Sequence, residues 1–180
     1  MDKIAFVFQD TRLFKQSLFE NIRAAKPSAS REEVRHAAHA AQCDDILQKL
    51  PDGLDTVVGA KGVYLSGGEV QRIALARAIL KDAPIIVLDE ATAFADPENE
   101  AQIQKAFESL VRGKTVLMIA HRLSTIQNAD NIIVLDDGKI KEKGTHETLL
   151  AKKGLYHKMW QDYQKSAVWK VGKEAGTNDI

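Results

Sequence analysis

The sequence predicts an α/β protein built on a parallel sheet with a helical insertion. Residues 85–88 and 115–120 are apolar and rich in β-branched side chains, which is typical of strands covered on both faces. A helical pattern over residues 97–110 separates them and is long enough for a crossover between parallel strands. Residues 11–83 lack such strands and are expected to form a mostly helical insert.

The N-terminal part begins with a short apolar run, residues 4–8, which predicts a buried strand. A helix is expected over residues 31–50, because Ser30 and Glu33 have the spacing of a capping box and residues 51–53 read Pro-Asp-Gly. The apolar stripe of this helix consists of Val34, Ala38, Ala41 and Ile46.

A second capping box, Ser66 and Glu69, opens a helix that ends near Lys81. Capping does not explain Gly67 and Gly68, since each glycine costs roughly 1 kcal/mol relative to alanine inside a helix. A helix N-terminus offers free N–H groups and the positive end of a dipole, and glycine lets an anion approach them closely. Structural capping and phosphate contact both remain open for this segment.

The C-terminal part predicts a hairpin followed by a helix. Residues 132–135 and 139–143 flank Asp137-Gly138, a dipeptide that favours a tight hairpin turn. An amphipathic helix is expected over residues 146–163. Residues 164–180 contain few large apolar side chains and are expected to form a disordered tail.

The composition excludes several classes of protein. The 180 residues contain 25 basic and 25 acidic side chains, so bulk charge gives no reason to expect a nucleic-acid partner. The single cysteine, Cys43, excludes an internal disulfide. No apolar run approaches the roughly 20 residues that span a bilayer, so the chain is expected to be soluble unless a partner holds it at a membrane.

Polar side chains follow the three predicted strands of the sheet. Gln9 follows the first, Asp89 and Glu90 follow the second, and His121 follows the third. Ligands of open parallel sheets bind beyond the carboxyl ends of the strands, where these side chains can converge. The set offers a carboxylate for Mg²⁺, a second carboxylate to accept a proton from water, an amide, and an imidazole that can reach a γ-phosphate.

Five segments in this order resemble the motifs of the nucleotide-binding domain of ATP-binding-cassette (ABC) transporters. They are "FVFQD" (Q-loop), "LSGGEVQR" (signature), "IIVLDEAT" (Walker B), "FADPE" (D-loop) and "IAHRLST" (switch histidine). The resemblance implies a P-loop NTPase-like fold. Its RecA-like core would comprise residues 1–10 and 84–163, and its helical signature subdomain residues 11–83.

The resemblance also implies a role for each strand-end residue, with ATP and Mg²⁺ as cofactors. Asp89 would organise Mg²⁺, and Glu90 would be the general base. Gln9 would couple the metal and the attacking water to the helical insert. His121 would clamp the γ-phosphate, and Asp96 would reach across a dimer interface.

The implied partners are a second nucleotide-binding domain, in a head-to-tail dimer, and a transmembrane domain at the cytoplasmic face of the membrane. The signature segment would contact the γ-phosphate of ATP held by the opposite domain. Its residues are Ser66, Gly67, Gly68 and Glu69.

One required motif does not occur in the sequence. The phosphate-binding loop G-x-x-x-x-G-K-[ST] is absent, and Gly113-Lys114-Thr115 does not supply it because Glu108 stands where the first glycine belongs. The sequence is therefore expected to be a fragment that is inactive by itself. Ala60 stands where exporter-type members often have a glutamate, which puts the coupling contact to the membrane domain in doubt.

The sequence also allows three other interpretations. The chain could act only as a signature-bearing partner that completes another subunit's ATP site. It could belong to soluble ABC-type ATPases of DNA repair or translation, although its short insert and neutral charge argue against this. His36, His39 and Cys43 lie on one helical face and could ligate zinc, but a solvated face is favoured because no fourth ligand is evident.

Among transporters, the segment "FQDTRLFKQSLFENI" is similar to exporter-shaped proteins of bacterial siderophore uptake.

Overall fold

The computed structural model describes residues 3–8, 11–59, 62–89, 97–120 and 123–174. The chain divides into two compact units, Met1–Ile119 and Ala120–Ile180. Among the described residues, no helix combines the length and the apolar character needed to cross a membrane.

The first unit is α/β, as predicted. Its elements in chain order are β1 (Ile4–Val7), α1 (Leu18–Arg23), α2 (Arg31–Ala40), α3 (Asp44–Lys49), a 3-10 turn (Gly53–Asp55), α4 (Gly67–Lys81), β2 (Ile85–Asp89), α5 (Pro97–Val111) and β3 (Thr115–Ile119). The strands form a parallel sheet in the order β1-β2-β3. Val7 pairs with Leu88, and Leu88 pairs with Met118, so the three strands run in register toward a common edge.

Helix α4 lies at the centre of the first unit. It packs against α1, α2, α5 and β1, and its burial continues around most of its circumference. Its buried side chains are Arg72, Ile73, Ala74, Leu75, Ala76, Ala78 and Leu80. A helix that is apolar on nearly all sides belongs in a core, which explains why the apolar run after Gly68 has so few polar positions.

The two faces of the sheet differ in burial. Ala5, Val7, Ile86 and Leu88 are buried within the core of this unit. The opposite side of the strands exposes Phe6, Phe8, Leu117 and Ile119, each at about half of its full accessible area. The expectation that the strands are covered on both faces is therefore wrong for this chain. An apolar pattern records which side chains favour burial, but it does not specify what covers them.

The helix expected over residues 31–50 is two helices. Gln42, between α2 and α3, has a left-handed backbone (φ 58°), which a continuous helix does not allow. The predicted capping box is confirmed, with Ser30 N to Glu33 Oε2 at 2.7 Å and Glu33 N to Ser30 Oγ at 3.2 Å. The four residues of the predicted stripe are all buried.

The second unit contains a 3-10 helix (Leu123–Ile126), strands β4 (Ile132–Asp136) and β5 (Lys139–Gly144), and helices α6 (His146–Ala151) and α7 (Leu155–Glu174). The predicted hairpin is confirmed, and both of its turn residues have positive φ, Asp137 at 50° and Gly138 at 68°. A left-handed Lys153 (φ 52°) separates α6 from α7, where one helix was expected. Helix α7 extends to Glu174, so residues 164–174 of the expected disordered tail are helical.

Candidate functional site

The carboxyl ends of the three parallel strands lie side by side at one edge of the sheet. Asp89, the last residue of β2, is half-buried and pairs with Ile119, the last residue of β3. Val7 ends β1 one position earlier in the register, opposite Leu88. An oxygen donor at this edge suits Mg²⁺, which prefers carboxylate ligands. The other predicted residues of this edge lie outside the described residues, namely Gln9, Glu90 and His121, and so does Asp96, which was predicted to reach across a dimer interface.

The signature segment forms the first turn of α4. Ser66 is the N-cap, and the predicted capping box is confirmed: Glu69 N donates to Ser66 Oγ at 3.3 Å, and Ser66 N donates to Glu69 Oε2 at 2.8 Å. Ser66 and Gly67 are exposed, and Gly68 is half-buried. The four predicted signature residues therefore lie together at an accessible helix N-terminus.

The fold itself does not require glycine at position 67. Among the described residues, a Cβ built there would meet no side chain or backbone beyond its chain neighbours and its own turn of helix within 4 Å, and the backbone does not have the left-handed conformation that favours glycine. Gly62, a few residues earlier, is different, because a Cβ there would overlap the carbonyl of Val57. Among the described residues, no side chain or distant backbone requires glycine at position 67, so the space beside its backbone is open to an approaching group.

Two arginines of α4 hold the helix in place, and sequence reasoning overlooked both. Arg72 donates to both carboxylate oxygens of Asp45, at 2.6 and 3.0 Å, and to the carbonyl of Gln42 at 2.5 Å. Burial acts to raise the pKa of Asp45, but the hydrogen bonds and charge of Arg72 outweigh it and the pKa lies below its ordinary value. Arg77 contacts Asn21 of α1. Arginine inside an otherwise apolar helix was the available signal, since a buried charge needs a partner.

A further surface lies beside α1, where residues 11–17 meet residues 56–65. Ser17 and Val57 form an antiparallel bridge, and Val58 N donates to the carbonyl of Gln16 at 3.1 Å. Large apolar side chains of these segments are exposed, among them Phe14, Val57 and Val63. We call these three side chains the loop surface. Exposed apolar groups that lie close together are typical of a contact with another protein.

The zinc alternative finds no support. Cys43 is fully buried, whereas His36 and His39 are exposed, and His39 Nδ1 lies 2.5 Å from Asp44 Oδ2. Burial raises the pKa of the Cys43 thiol to about 12, which disfavours the thiolate that zinc binds. Within the described ranges, no group of three His, Cys, Asp or Glu side chains is arranged to hold a metal ion.

Comparison with solved structures identifies the class of fold. The chain is similar to a bacterial Atm1-family ABC exporter solved with ATP bound, with a TM-score of 0.80 and 43% identity. The similarity covers 89% of this chain and 28% of that one. The chain therefore has the α/β fold of an ABC exporter's ATPase domain.

The family is shown directly by sequence. The family model described as "ABC transporter" matches residues 1–93, slightly more than half of the chain. This protein belongs to the ABC transporter family, as the five motifs predicted.

Curated relatives are much longer than this chain. An ATP-dependent lipid A-core flippase of Syntrophus aciditrophicus is 51% identical over 177 residues, which are 98% of this chain and 29% of the flippase. The mycobactin import ATP-binding/permease protein IrtA of Mycobacterium tuberculosis is 51% identical over 175 residues, 97% of this chain and 20% of IrtA. The chain thus spans between a fifth and three tenths of the length of these two proteins.

Proposed function

We propose that this chain is part of the domain of an exporter-type ABC transporter that binds and hydrolyses ATP to drive transport across a membrane. The observation that carries the proposal is the parallel order β1-β2-β3, which brings three strand ends to one edge of the sheet. Each of these strands leads directly into one of the predicted catalytic or metal-binding segments.

In this proposal each strand-end residue has a separate role in ATP hydrolysis. Asp89 and Gln9 hold Mg²⁺, which neutralises developing phosphate charge when it is bound with ATP. Glu90 accepts the proton of the attacking water, and His121 donates to the γ-phosphate. The half-buried position of Asp89 beside the end of β3 supports its proposed role as a ligand of Mg²⁺.

The first turn of α4 would serve ATP that is bound to a second nucleotide-binding domain. Its accessible N-terminus and the sterically unexplained Gly67 support this role, since bare backbone N–H groups suit a phosphate. Asp96 would reach across the same dimer interface. The partner domain could be a second copy of this chain's parent protein or a different subunit.

The loop surface is proposed to contact the transmembrane domain, which would place this domain at the cytoplasmic face of the membrane. The support is the exposure of Phe14, Val57 and Val63 beside the segment that follows Gln9. Transport of a siderophore stays a prediction, because a mycobactin importer and a lipid A-core flippase match the chain equally well.

The test is ATP hydrolysis by the full-length transporter that carries these residues. Glu90→Gln is expected to abolish hydrolysis and retain ATP binding, whereas Glu108→Gln, an exposed glutamate of α5, is expected to hydrolyse ATP at the wild-type rate. The 180-residue chain alone is expected to show no turnover, because its sequence lacks the phosphate-binding loop. Wild-type hydrolysis by the Glu90→Gln transporter would contradict the proposal.

Two features support a second candidate function: the signature segment forms a helix N-terminus, and the sequence lacks the phosphate-binding loop. The chain would complete the ATP site of another, intact nucleotide-binding domain without binding ATP itself. Adding the chain to such a domain should then raise its turnover, and Ser66→Ala should remove the effect. Ser30→Ala is the matched control, because it removes an equivalent capping box from α2.

Transport is favoured over a soluble role in DNA repair or translation, because the relatives described above carry transport names. Binding of the purified chain to duplex DNA or to ribosomes at moderate salt would reverse this preference.

A further inference from the structure

The side chain of Asn21 forms hydrogen bonds with the backbone of the loop of residues 11–17. Asn21 is fully buried on α1. Its Oδ1 accepts from Phe14 N at 2.8 Å, and its Nδ2 donates to the carbonyls of Phe14, Ser17 and Gln16 at 2.9, 3.0 and 3.3 Å. Both polar atoms of one buried amide thus replace the backbone partners that an irregular loop lacks.

Arg77 of α4 holds this amide and the loop together. Its Nη2 donates to Asn21 Oδ1 at 2.7 Å, and its Nε donates to the Asn21 carbonyl at 2.7 Å. Nη1 reaches the carbonyl of Arg12 at 3.2 Å, and the guanidinium lies 5.4 Å from the centre of the Phe14 ring. Burial lowers the pKa of Arg77, yet a guanidinium keeps its charge at neutral pH.

Arg77 lies on the same helix as the signature segment. Ten residues separate it from Gly67, which at a rise of 1.5 Å per residue is roughly 15 Å along α4. The loop that Arg77 holds follows Gln9 in the chain, and it carries Phe14 of the loop surface. One rigid, buried helix therefore joins the signature turn to the segment after Gln9.

We infer that Arg77 and Asn21 are positioning residues for ATP hydrolysis: they lock the segment that follows Gln9 to the signature helix. The inference rests on the proposed function, in which Gln9 serves the metal and water while the first turn of α4 serves a partner's ATP. Arg77 touches neither ligand in this scheme and acts through the position of Gln9. A shift at the loop surface would reach α4 through this contact.

Three substitutions separate the contacts. Arg77→Met keeps much of the side-chain volume and removes all three hydrogen bonds. Arg77→Lys keeps the charge but has no fixed fork of donors, so it cannot reproduce all three bonds. Asn21→Asp keeps an acceptor for Arg77 and loses the Nδ2 donor that closes the loop.

The experiment measures steady-state ATP hydrolysis by the full-length transporter, with radiolabelled ATP so that slow turnover can be followed. Arg77→Met is expected to lower kcat by roughly 3- to 30-fold, the range for residues that act through intermediate contacts. The KM for ATP should stay at its wild-type value, and Arg77→Lys should be intermediate. Arg35→Met is the control, because Arg35 is exposed and, among the described residues, forms a local ion pair with Glu32 on α2.

Combination with Gln9→Ala separates positioning from general weakening of the fold. If Arg77 acts through Gln9, the double variant should be no slower than Gln9→Ala alone, because non-additivity marks residues that work as a unit. Additive losses in the double variant, or a wild-type kcat for Arg77→Met, would overturn the inference.

Further measurements distinguish failure of the proposed function from failure of the inference about Arg77. A Glu90→Gln transporter that still hydrolyses ATP would defeat the proposed function, whereas an inactive Glu90→Gln beside a fully active Arg77→Met would defeat this inference alone. If Arg77→Met does not fold, kcat is measured for Asn21→Asp and Arg77→Lys instead. In the 180-residue chain, Arg77→Lys should speed hydrogen exchange of the Phe14 amide, whose acceptor Arg77 holds in place, and unchanged exchange would contradict the inference.

Discussion

Arg72 and Asp45 form a two-point ion pair that joins α4 to α3, with N–O distances of 2.6 and 3.0 Å. The two side chains differ in burial, since 2% of Arg72 and 46% of Asp45 is exposed. Loss of the partner charge is therefore costlier for Arg72, which water barely reaches, than for Asp45, which water can solvate.

Asp45→Ala is accordingly expected to destabilise the first unit more than Arg72→Met does. The loss for Asp45→Ala should be about 2–3 kcal/mol, below the full cost of a buried pair because Gln42 still accepts one hydrogen bond. Urea unfolding followed by far-UV circular dichroism measures both. Asp55→Ala is the control, since it breaks an exposed two-point pair with Arg31 and should cost little. A larger loss for Arg72→Met than for Asp45→Ala would refute the argument.

Glu33 of α2, which contacts Lys26 and closes the capping box with Ser30, should give the protein an acid-sensitive contribution to stability. The hydrogen bond from the Lys26 side chain, followed by those from Ser30, lowers the pKa of Glu33 from 4.5 to about 2. A pKa that is lowered in the folded state stabilises the protein fully above pH 4.5, and this contribution is lost as the pH falls toward 2.

Urea midpoints between pH 6 and pH 2 test this expectation about Glu33. The stability difference between wild type and Glu33→Gln should shrink across the window, which lies at roughly pH 4.5 to 2. Glu32→Gln, in the same helical turn but outside the capping box, serves as the control. A difference that does not change with pH would mean that the charged form of Glu33 adds no stability through its contacts with Lys26 and Ser30.

Cys43 should resist thiol reagents in the native protein. It is fully buried, and burial raises its pKa to about 12, so the reactive thiolate is scarce at pH 8. Labelling should proceed only through unfolding or local opening, and it should become fast in urea. Because the chain has one cysteine, the signal reports on the first unit alone. Immediate labelling without urea would show that the packing around Cys43 is open.

Gly67→Ala should separate stability from activity. Beyond the neighbouring residues and its own turn of helix, no described atom lies within 4 Å of the added methyl group, and alanine favours helix, so stability should stay equal or rise by roughly 0–1 kcal/mol. ATP turnover by the full-length transporter should fall, because the methyl group occupies space proposed for a partner's phosphate. Gly62→Ala is the matched control and should destabilise the fold, since its Cβ overlaps the Val57 carbonyl. Normal turnover with Gly67→Ala would count against the signature contact.

Gly154→Ala should weaken the start of α7. Glu142 accepts from the amides of Leu155 and Tyr156, at 3.1 and 2.8 Å, and a Cβ at Gly154 would overlap its Oε1. Displacing this carboxylate should cost about 1–2 kcal/mol, the usual value of a helix N-terminal cap.

The readout for Gly154→Ala is urea unfolding followed by Trp160 fluorescence in a Trp169→Phe background. Trp160 packs against His146 and Tyr163 of the second unit, so it reports on this unit. Glu142→Gln and the double variant complete a double-mutant cycle. The two losses of stability should not add, because both changes disturb the contact of Glu142 with the start of α7. Additive losses would show that Gly154 acts independently of Glu142.

Local features of this protein were predicted well because each is encoded within a few residues. The capping boxes at Ser30 and Ser66 depend on side chains that contact backbone groups in the same turn, and the hairpin turn depends on the positive φ of Asp137 and Gly138. The break at Gln42 was missed, since a left-handed glutamine has no strong local signal and is held by a bond from Arg72, thirty residues away. The strand-end residues Gln9, Glu90 and His121 remain predictions, as does Asp96.

The sequence by itself determined the periodicity of the helices and strands, the caps, and the order of the five motifs that mark an ABC transporter. Only the tertiary structure decided that β2 lies between β1 and β3, that one face of this sheet is exposed, and which groups Arg72 and Arg77 bind. The physical reason is the distance along the chain. Helical and turn hydrogen bonds join residues that are neighbours in sequence, whereas Arg72–Asp45 and Arg77–Asn21 join residues 27 and 56 positions apart, which meet only when the core has packed.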